Sequence, residues 1–273
     1  MALRKQKVVV VGLGEIGKPI LELVRKRHNA DGVDLSPPAE QIKQIDVLHI
    51  CYPFEIKNFV GETARYIELF EPALTIINST VAIGTTRTVA ERTGATVVHS
   101  PVRGKHVSML DELHRYVKFV GAIDRLTGQL AIDHFESVGL KTRLLSSPEA
   151  AELAKLTETT YFGLLIAWAQ EVERYCDQVS VNYDEVVSFY EEIGFFPPLK
   201  YTPGIIGGHC VMPNLEILRK LDRSVILEAI RSSNHMKIDR EARAGSVVAG
   251  VRPPERSRSD TNQVTAEHVF VER

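Results

Sequence analysis

A chain of 273 residues with 44% hydrophobic content is long enough for one large or two small packed domains. Its 33 Lys plus Arg balance 35 Asp plus Glu to a net charge of -2, so composition argues against a partner that is nucleic acid or a membrane surface. The three cysteines, Cys51, Cys176 and Cys210, are odd in number and lack CxxC spacing, which points to reduced thiols in a cytoplasm and to no metal site.

In chain order, "KVVVVGLGEIGKPILELVRKR" reads as a buried strand over 7–11, a glycine turn, and a helix with Ile16, Ile20, Leu23 and Val24 on one face. The apolar run is too short to span a bilayer and has no signal-peptide pattern, so no export is expected. Further short strands are predicted in "ADGVDLS", "IDVLHICYP", "ALTIINST", "ATVVHSP", "YVKFVGA" and "KTRLLSS", with helices at 55–69, 84–92 and 124–138. Between Asp34 and Asp46 there is little room for a helix, so that crossover is expected to be a loop. From Pro148 a long, largely apolar helix runs for some thirty residues, and its "YFGLLIAWA" needs cover from the sheet domain, from short helices, or from a second subunit. Shorter helices are predicted at 183–193, 213–221 and 224 to about 242. After Gly245 the composition suggests a mobile tail. The fold class is therefore α/β, a Rossmann-type doubly wound, mostly parallel sheet followed by a long helix and a small all-α domain. The expected domains are 1–147, 148–242 and a tail over 243–273.

Gly12, Gly14 and Gly17 form G-x-G-x-x-G between a strand and a helix, where Gly12 permits the turn, Gly14 the approach of a pyrophosphate, and Gly17 close helix-to-strand contact. Asp34 ends the second strand, where a carboxylate accepts from both ribose hydroxyls and repels a 2′-phosphate, so NAD is favoured over NADP. A tight βα turn without a nucleotide is the competing explanation. Ser79 and Thr80 of "NSTVAIGTT", like "HSPVRGKH", follow strands at the edge where open α/β sheets bind ligands, although hydroxyls there also serve as helix caps. In the long helix Glu152, Lys155 and Thr159 share a face, as a surface ion pair or as a cation near a substrate oxygen. In "YTPGIIGGHCVMPN", Gly and Pro surround one thiol, either as a simple turn or as the setting of a reactive cysteine. Pro213 suits the first turn of a following helix, whose N-terminal field favours the thiolate.

Taken together, "AELAK", "STVAIGTT", "SPVRG" and "GGHC" after "PG", in this order over roughly residues 7–221, resemble the UDP-glucose/GDP-mannose dehydrogenase family within the 6-phosphogluconate dehydrogenase-like group. The resemblance implies NAD-dependent oxidation of a sugar primary alcohol, twice, through a thioester on a loop cysteine, in a homodimer acting on a small molecule. It assigns Cys210 as nucleophile, Lys155 as the group stabilising oxyanions, and Thr80 as a positioner of water, with Thr159 and Asn214 at two further catalytic positions. Glu15, Ile16 and Tyr52 join the three glycines, Asp34, Ser79 and Thr80 as cofactor-binding candidates, and Arg103, Gly204, Gly207, Gly208 and His209 are substrate-binding candidates. The chain also departs from the family. "PGIIGGHC" is one residue shorter than PG-x-G-x-GGHC, and Val102, Thr159 and Asn214 replace the usual glutamate, asparagine and aspartate. The family's C-terminal nucleotide-holding domain is expected to be missing. Two alternatives stand beside the four-electron reading: a two-electron β-hydroxyacid type of dehydrogenase, and a protein that holds NAD or a sugar nucleotide without turnover.

Overall fold

The computed structural model describes residues 4–34, 43–104, 108–192, 202–207, 210–221 and 224–249. It divides into two compact units, Met1–Lys155 and Leu156–Arg273.

The first unit contains, in chain order, β1 (Lys7–Val11), α1 (Gly17–Arg25), β2 (Asn29–Val33), β3 (Val47–Ile50), α2 (Phe59–Phe70), β4 (Leu74–Ile77), α3 (Thr85–Thr93), β5 (Val97–His99), α4 (Met109–Arg115), β6 (Lys118–Ala122), α5 (Arg125–Ser137) and β7 (Thr142–Leu145). The strands form one sheet in the order β2-β1-β3-β4-β5-β6-β7. Val8 and Val10 join a core with Ile20, Leu23, Val98 and Phe135, whereas Val9 and Val11 join a second core with Leu48, Ile50, Phe59 and Ile67. Successive side chains of a strand point to opposite faces, and both faces are covered here, so β1 reads as an unbroken apolar run. The chain leaves β1 toward β2 and returns on its other side at β3, which creates a topological switch point between the ends of β1 and β3.

All seven expected strands form, and the first five are parallel. The β5–β6 pair is antiparallel, with His99 opposite Gly121, so β6 starts at the edge where β5 ends. The short α4 in that connection was not legible in advance, because its seven residues bury only Met109, Glu112 and Leu113 and carry too little periodicity to stand out.

A 32-residue helix, α6 (Pro148–Val179), opens inside the first unit and continues through the second. The second unit adds α7 (Tyr183–Glu191), α8 (Val211–Leu221) and α9 (Val225–Ala249). Gly163, the one glycine of α6, sits against Val211, whose side chain would collide with any Cβ there. α8 starts two residues before the expected position, so Pro213 is its third residue rather than its first. That is tolerated because the first four amides of a helix have no intrahelical acceptor. α9 runs to Ala249, past the expected end near 242, and carries Gly245 within it. The rest of the expected tail, and most of the loop expected after Asp34, lie outside the described residues.

Candidate active site

Gly12, Asp34, Tyr52, Ser79 and Ser100 lie immediately beyond the C-terminal ends of five adjacent parallel strands, so the sheet delivers their loops to one edge. Two of the three motif glycines are required by the protein itself. Gly12 has φ +89°, and a Cβ on it would stand 2.6 Å from the Tyr52 amide nitrogen; a Cβ on Gly17 would run into the Gly12 carbonyl. Gly14 is different, since a Cβ there would meet nothing within 4 Å. Packing among the described residues does not require its lack of a side chain, and the open backbone there leaves room for a ligand. The N-terminus of α1 has Ile16 at its cap position and no side-chain cap; the Lys18 amide donates to the Gly14 carbonyl at 3.2 Å, and Pro19 has no amide hydrogen. Asp34 is exposed, and its carboxylate accepts from the Leu13 amide at 3.5 Å, which ties the end of β2 to the glycine turn. These residues fit a dinucleotide such as NAD.

The other cofactor candidates contribute less through their side chains. Glu15 is exposed, whereas Ile16 packs against the core. The Tyr52 hydroxyl is turned inward to Thr63 Oγ at 2.6 Å; burial pushes the phenol pKa up and the hydrogen bond only partly opposes this. Ser79 is buried and donates to the Tyr52 carbonyl at 2.5 Å, while Thr80 beside it is half-buried. Ser79 thus braces the loop and Thr80 is the better placed of the two to meet a ligand.

Glu152 has a role that sequence spacing did not expose. Its buried carboxylate accepts from the Gly84 amide at 2.6 Å, the Thr86 amide at 2.9 Å and the Thr86 hydroxyl at 2.6 Å, capping α3 from one turn before Lys155. Desolvation raises its pKa, with those three hydrogen bonds acting in the opposite sense. It is therefore an acceptor for a helix N-terminus rather than a surface ion-pair partner of Lys155. Lys155 is half-buried in α6, four residues before Thr159 and on the same face. Arg103 lies over the rings of Tyr116 and Phe119, 5.4 and 5.5 Å from their centroids, while its neighbour Val102 is buried in the core. The position where the family resemblance expects a glutamate is thus filled by a packed isopropyl side chain.

In the second unit, Cys210 stands directly before the first residue of α8 and is half-buried, whereas Cys51 and Cys176 are buried. Burial pushes the Cys51 thiol up to about 12. The loop leading to Cys210 is held by residues not singled out from the sequence. Gln170 of α6 donates to the Gly204 carbonyl at 2.6 Å, and Asn234 of α9 both accepts from the Ile206 amide at 2.7 Å and donates to the Ile206 carbonyl at 3.0 Å. Both are buried polar side chains in helices, and in the sequence they stand out only as polar residues within helical segments. Among the described residues, a Cβ on Gly204 or Gly207 would meet nothing within 4 Å. Gly208 and His209 lie outside the described residues. Asn214, one turn after Cys210, donates to Thr159 Oγ at 2.8 Å. Of the candidates, then, the first unit gathers the cofactor set with Arg103 and Lys155, and the second gathers Thr159, Gly204, Gly207, Cys210 and Asn214.

Among the described residues, no three His, Cys, Asp or Glu side chains are grouped to hold a metal, and no helix is long and apolar enough to cross a membrane.

Residues 149–238 match the model of the UDP-glucose/GDP-mannose dehydrogenase family, central domain. The UDP-N-acetyl-D-mannosamine dehydrogenase of Methanocaldococcus jannaschii is 27% identical over 210 residues, covering 71% of this chain and 48% of that protein. The chain spans about half the length of the curated relatives it matches first. Among solved structures, the UDP-N-acetyl-mannosamine dehydrogenase Cap5O from Staphylococcus aureus superposes with a TM-score of 0.75 at 20% identity, over 89% of this chain and 71% of that one. A UDP-D-ManNAc dehydrogenase from Pyrococcus horikoshii gives 0.73 at 21% identity, over 89% and 70%. These structural likenesses establish the Rossmann-type fold.

Proposed function

We propose that the chain, which resembles the UDP-glucose/GDP-mannose dehydrogenase family, is an NAD-dependent dehydrogenase that oxidises the primary alcohol of a sugar nucleotide, with Cys210 as nucleophile. The observation that carries this reading is the placement of Cys210 at the N-terminus of α8, on a loop fastened by Gln170 and Asn234, while the other two cysteines are buried. NAD, when bound, supplies the hydride acceptor.

In this reading Gly12, Gly14 and the α1 N-terminus receive the pyrophosphate, and Asp34 takes the ribose hydroxyls. Cys210 adds as thiolate to the aldehyde left by the first two-electron oxidation, forming a C–S bond; loss of a second hydride turns the adduct into a thioester. Water then cleaves the C–S bond, giving a carboxylate and returning the thiol. Lys155 offers the positive charge that an oxyanion needs, and Thr80 a hydroxyl for water. With Val102 buried and Asn214 neutral, no carboxylate stands at the positions where the family places its acids, so hydrolysis is expected to be the slow step.

The test is the number of NADH formed per substrate, with UDP-N-acetyl-D-mannosamine and UDP-glucose as probes. Wild type should form two, and Cys210→Ser one. One NADH from both proteins would exclude the covalent role and favour a two-electron, β-hydroxyacid type of reaction. Tight NAD binding without reduction of either probe would favour a binding protein.

A homodimer belongs to the same proposal. Tyr161, Trp168 and Tyr175 recur every seven residues along α6, with Val179 one turn further, and each is about half exposed or more. Such a row is suited to burial against a second copy, and sedimentation should give a dimer that Trp168→Glu converts to monomer.

A further inference from the structure

Lys118, the first residue of β6, is 4% exposed, and among the described residues the groups that act electrostatically on it are Cys51 and Lys155, neither a carboxylate. Its ammonium donates to the carbonyls of Ser100 at 2.6 Å and Pro101 at 3.1 Å and to Asn78 Oδ1 at 3.3 Å. The Phe135 ring of α5 lies 5.2 Å from it. Its titratable neighbours are Cys51 beyond β3, His49 in β3, His99 in β5 and Lys155 in α6.

The three acceptors sit where strands become ligand loops. Asn78 immediately precedes Ser79 and Thr80, and Ser100 and Pro101 lead into Arg103. An ammonium only donates, so Asn78 Oδ1 must accept and its amide nitrogen faces His49 Nδ1 at 3.1 Å. His49 then carries its proton on Nε2 and donates to His134 Nε2 at 2.9 Å, and His134 Nδ1 donates to Gln6 Oε1 at 2.7 Å. One set of neutral imidazole tautomers satisfies the whole thread, with Lys118 at its head.

We propose that Lys118 is a positioning residue: its ammonium clamps the loops after β4 and β5, and release of its proton unclamps them. A neutral amine has two hydrogens instead of three, so at least one of the three acceptors is abandoned. Burial pushes the Lys118 pKa down to about 7; Cys51 acts to raise it and Lys155 to lower it. Released loops leave Lys118 buried with fewer acceptors, so its pKa is lower there than in the clamped state and loss of the proton favours release across neutral pH; global unfolding hydrates the ammonium and carries the opposite sign. The ligand that the loops serve rests on the function proposed above, but the clamp does not.

Amide hydrogen exchange on ligand-free protein, corrected for the intrinsic pH dependence, tests it at pH 6 to 8.5. In wild type, protection around Ser79–Thr80 and Ser100–Arg103 should fall by about tenfold, the worth of one lost hydrogen bond, while β1 stays constant. In Lys118→Met the protection should not depend on pH. Asn78→Asp provides an anionic partner and should move the midpoint up by about one pH unit or more. Constant protection in wild type, or an unmoved midpoint in Asn78→Asp, overturns the clamp, and neither result requires Lys118→Met to fold. NADH fluorescence followed in parallel separates the two readings: a pH-dependent loop in a protein that never binds NADH would remove the dinucleotide assignment and leave the clamp standing.

Discussion

Asn214 gives its side-chain amide to the hydroxyl of Thr159 at 2.8 Å, joining the first turn of α8 to α6, and Thr159 passes its own proton to the Leu156 carbonyl at 3.1 Å. Two departures from the family pattern are thus one contact. The two positions where the family resemblance expects an asparagine on the long helix and an aspartate after the cysteine are here joined by a hydrogen bond between neutral groups. The pair is neutral, and it cannot take a proton from water. On the covalent route proposed above, Asn214→Asp would place an anion beside Thr159 and should speed hydrolysis of the thioester about tenfold or more, within the usual worth of a general base. Stopped-flow NADH traces check this, because the slow phase after the initial burst should shorten in the variant and the burst itself should not change.

Asp34 should decide between the two nicotinamide dinucleotides. Asp34→Ala removes both the ribose acceptor and the repulsion of a 2′-phosphate, so NAD binding should weaken by about 1.5–3 kcal/mol while NADP binding weakens less or improves. Titration calorimetry with both dinucleotides measures the shift, and unchanged preference would remove Asp34 from the site.

Glu152 should matter to stability more than a surface acid does. Glu152→Ala leaves two amides and a hydroxyl at the start of α3 without their acceptor in a buried setting, at a cost of about 2–4 kcal/mol. Glu152→Gln keeps one acceptor oxygen and should cost about half as much. Urea denaturation of the two variants should rank them in that order, and equal midpoints with wild type would contradict the capping role.

The buried imidazoles make the fold acid-sensitive in a definite window. Burial, the leading cause in each case, pushes His99 and His134 down to about 3 and His49 well below its usual 6.5. Because the folded protein holds them neutral and the unfolded chain protonates them at 6.5, stability is complete above that pH and is lost as pH falls toward 3. Three such groups amount to about 3–4 kcal/mol between pH 7 and 5.5, before most carboxylates titrate. Lys118 works at the other end: its folded pKa is depressed, so stability rises with pH between about 7 and 10.5. Denaturation midpoints at constant ionic strength should slope upward across both ranges, and a flat profile from pH 7 to 5.5 would show that the histidines are not held neutral.

From the sequence alone, the strands, most of the helices and the glycine turn could be placed, because each is written in neighbours. β1 is an unbroken apolar run, α1 repeats its apolar residues with helical period, and Gly12, Gly14 and Gly17 stand at fixed spacing within six residues, although the backbone that excludes a side chain at Gly12 is that of Tyr52. The thiol loop was legible for the same reason, through the Gly and Pro that flank Cys210. Tertiary structure decided what the polar residues do. Glu152 meets Gly84 across 68 positions, Asn214 meets Thr159 across 55, and Lys118 meets Asn78 across 40. Local sequence carries no trace of such partners: "YVKFVGA" shows a strand, and the antiparallel placement of β6 against β5 is what brings its lysine to Asn78, Ser100 and Pro101. Backbone periodicity is a short-range property of the chain, whereas the partner of a buried charge is set by which distant strand the packing brings beside it.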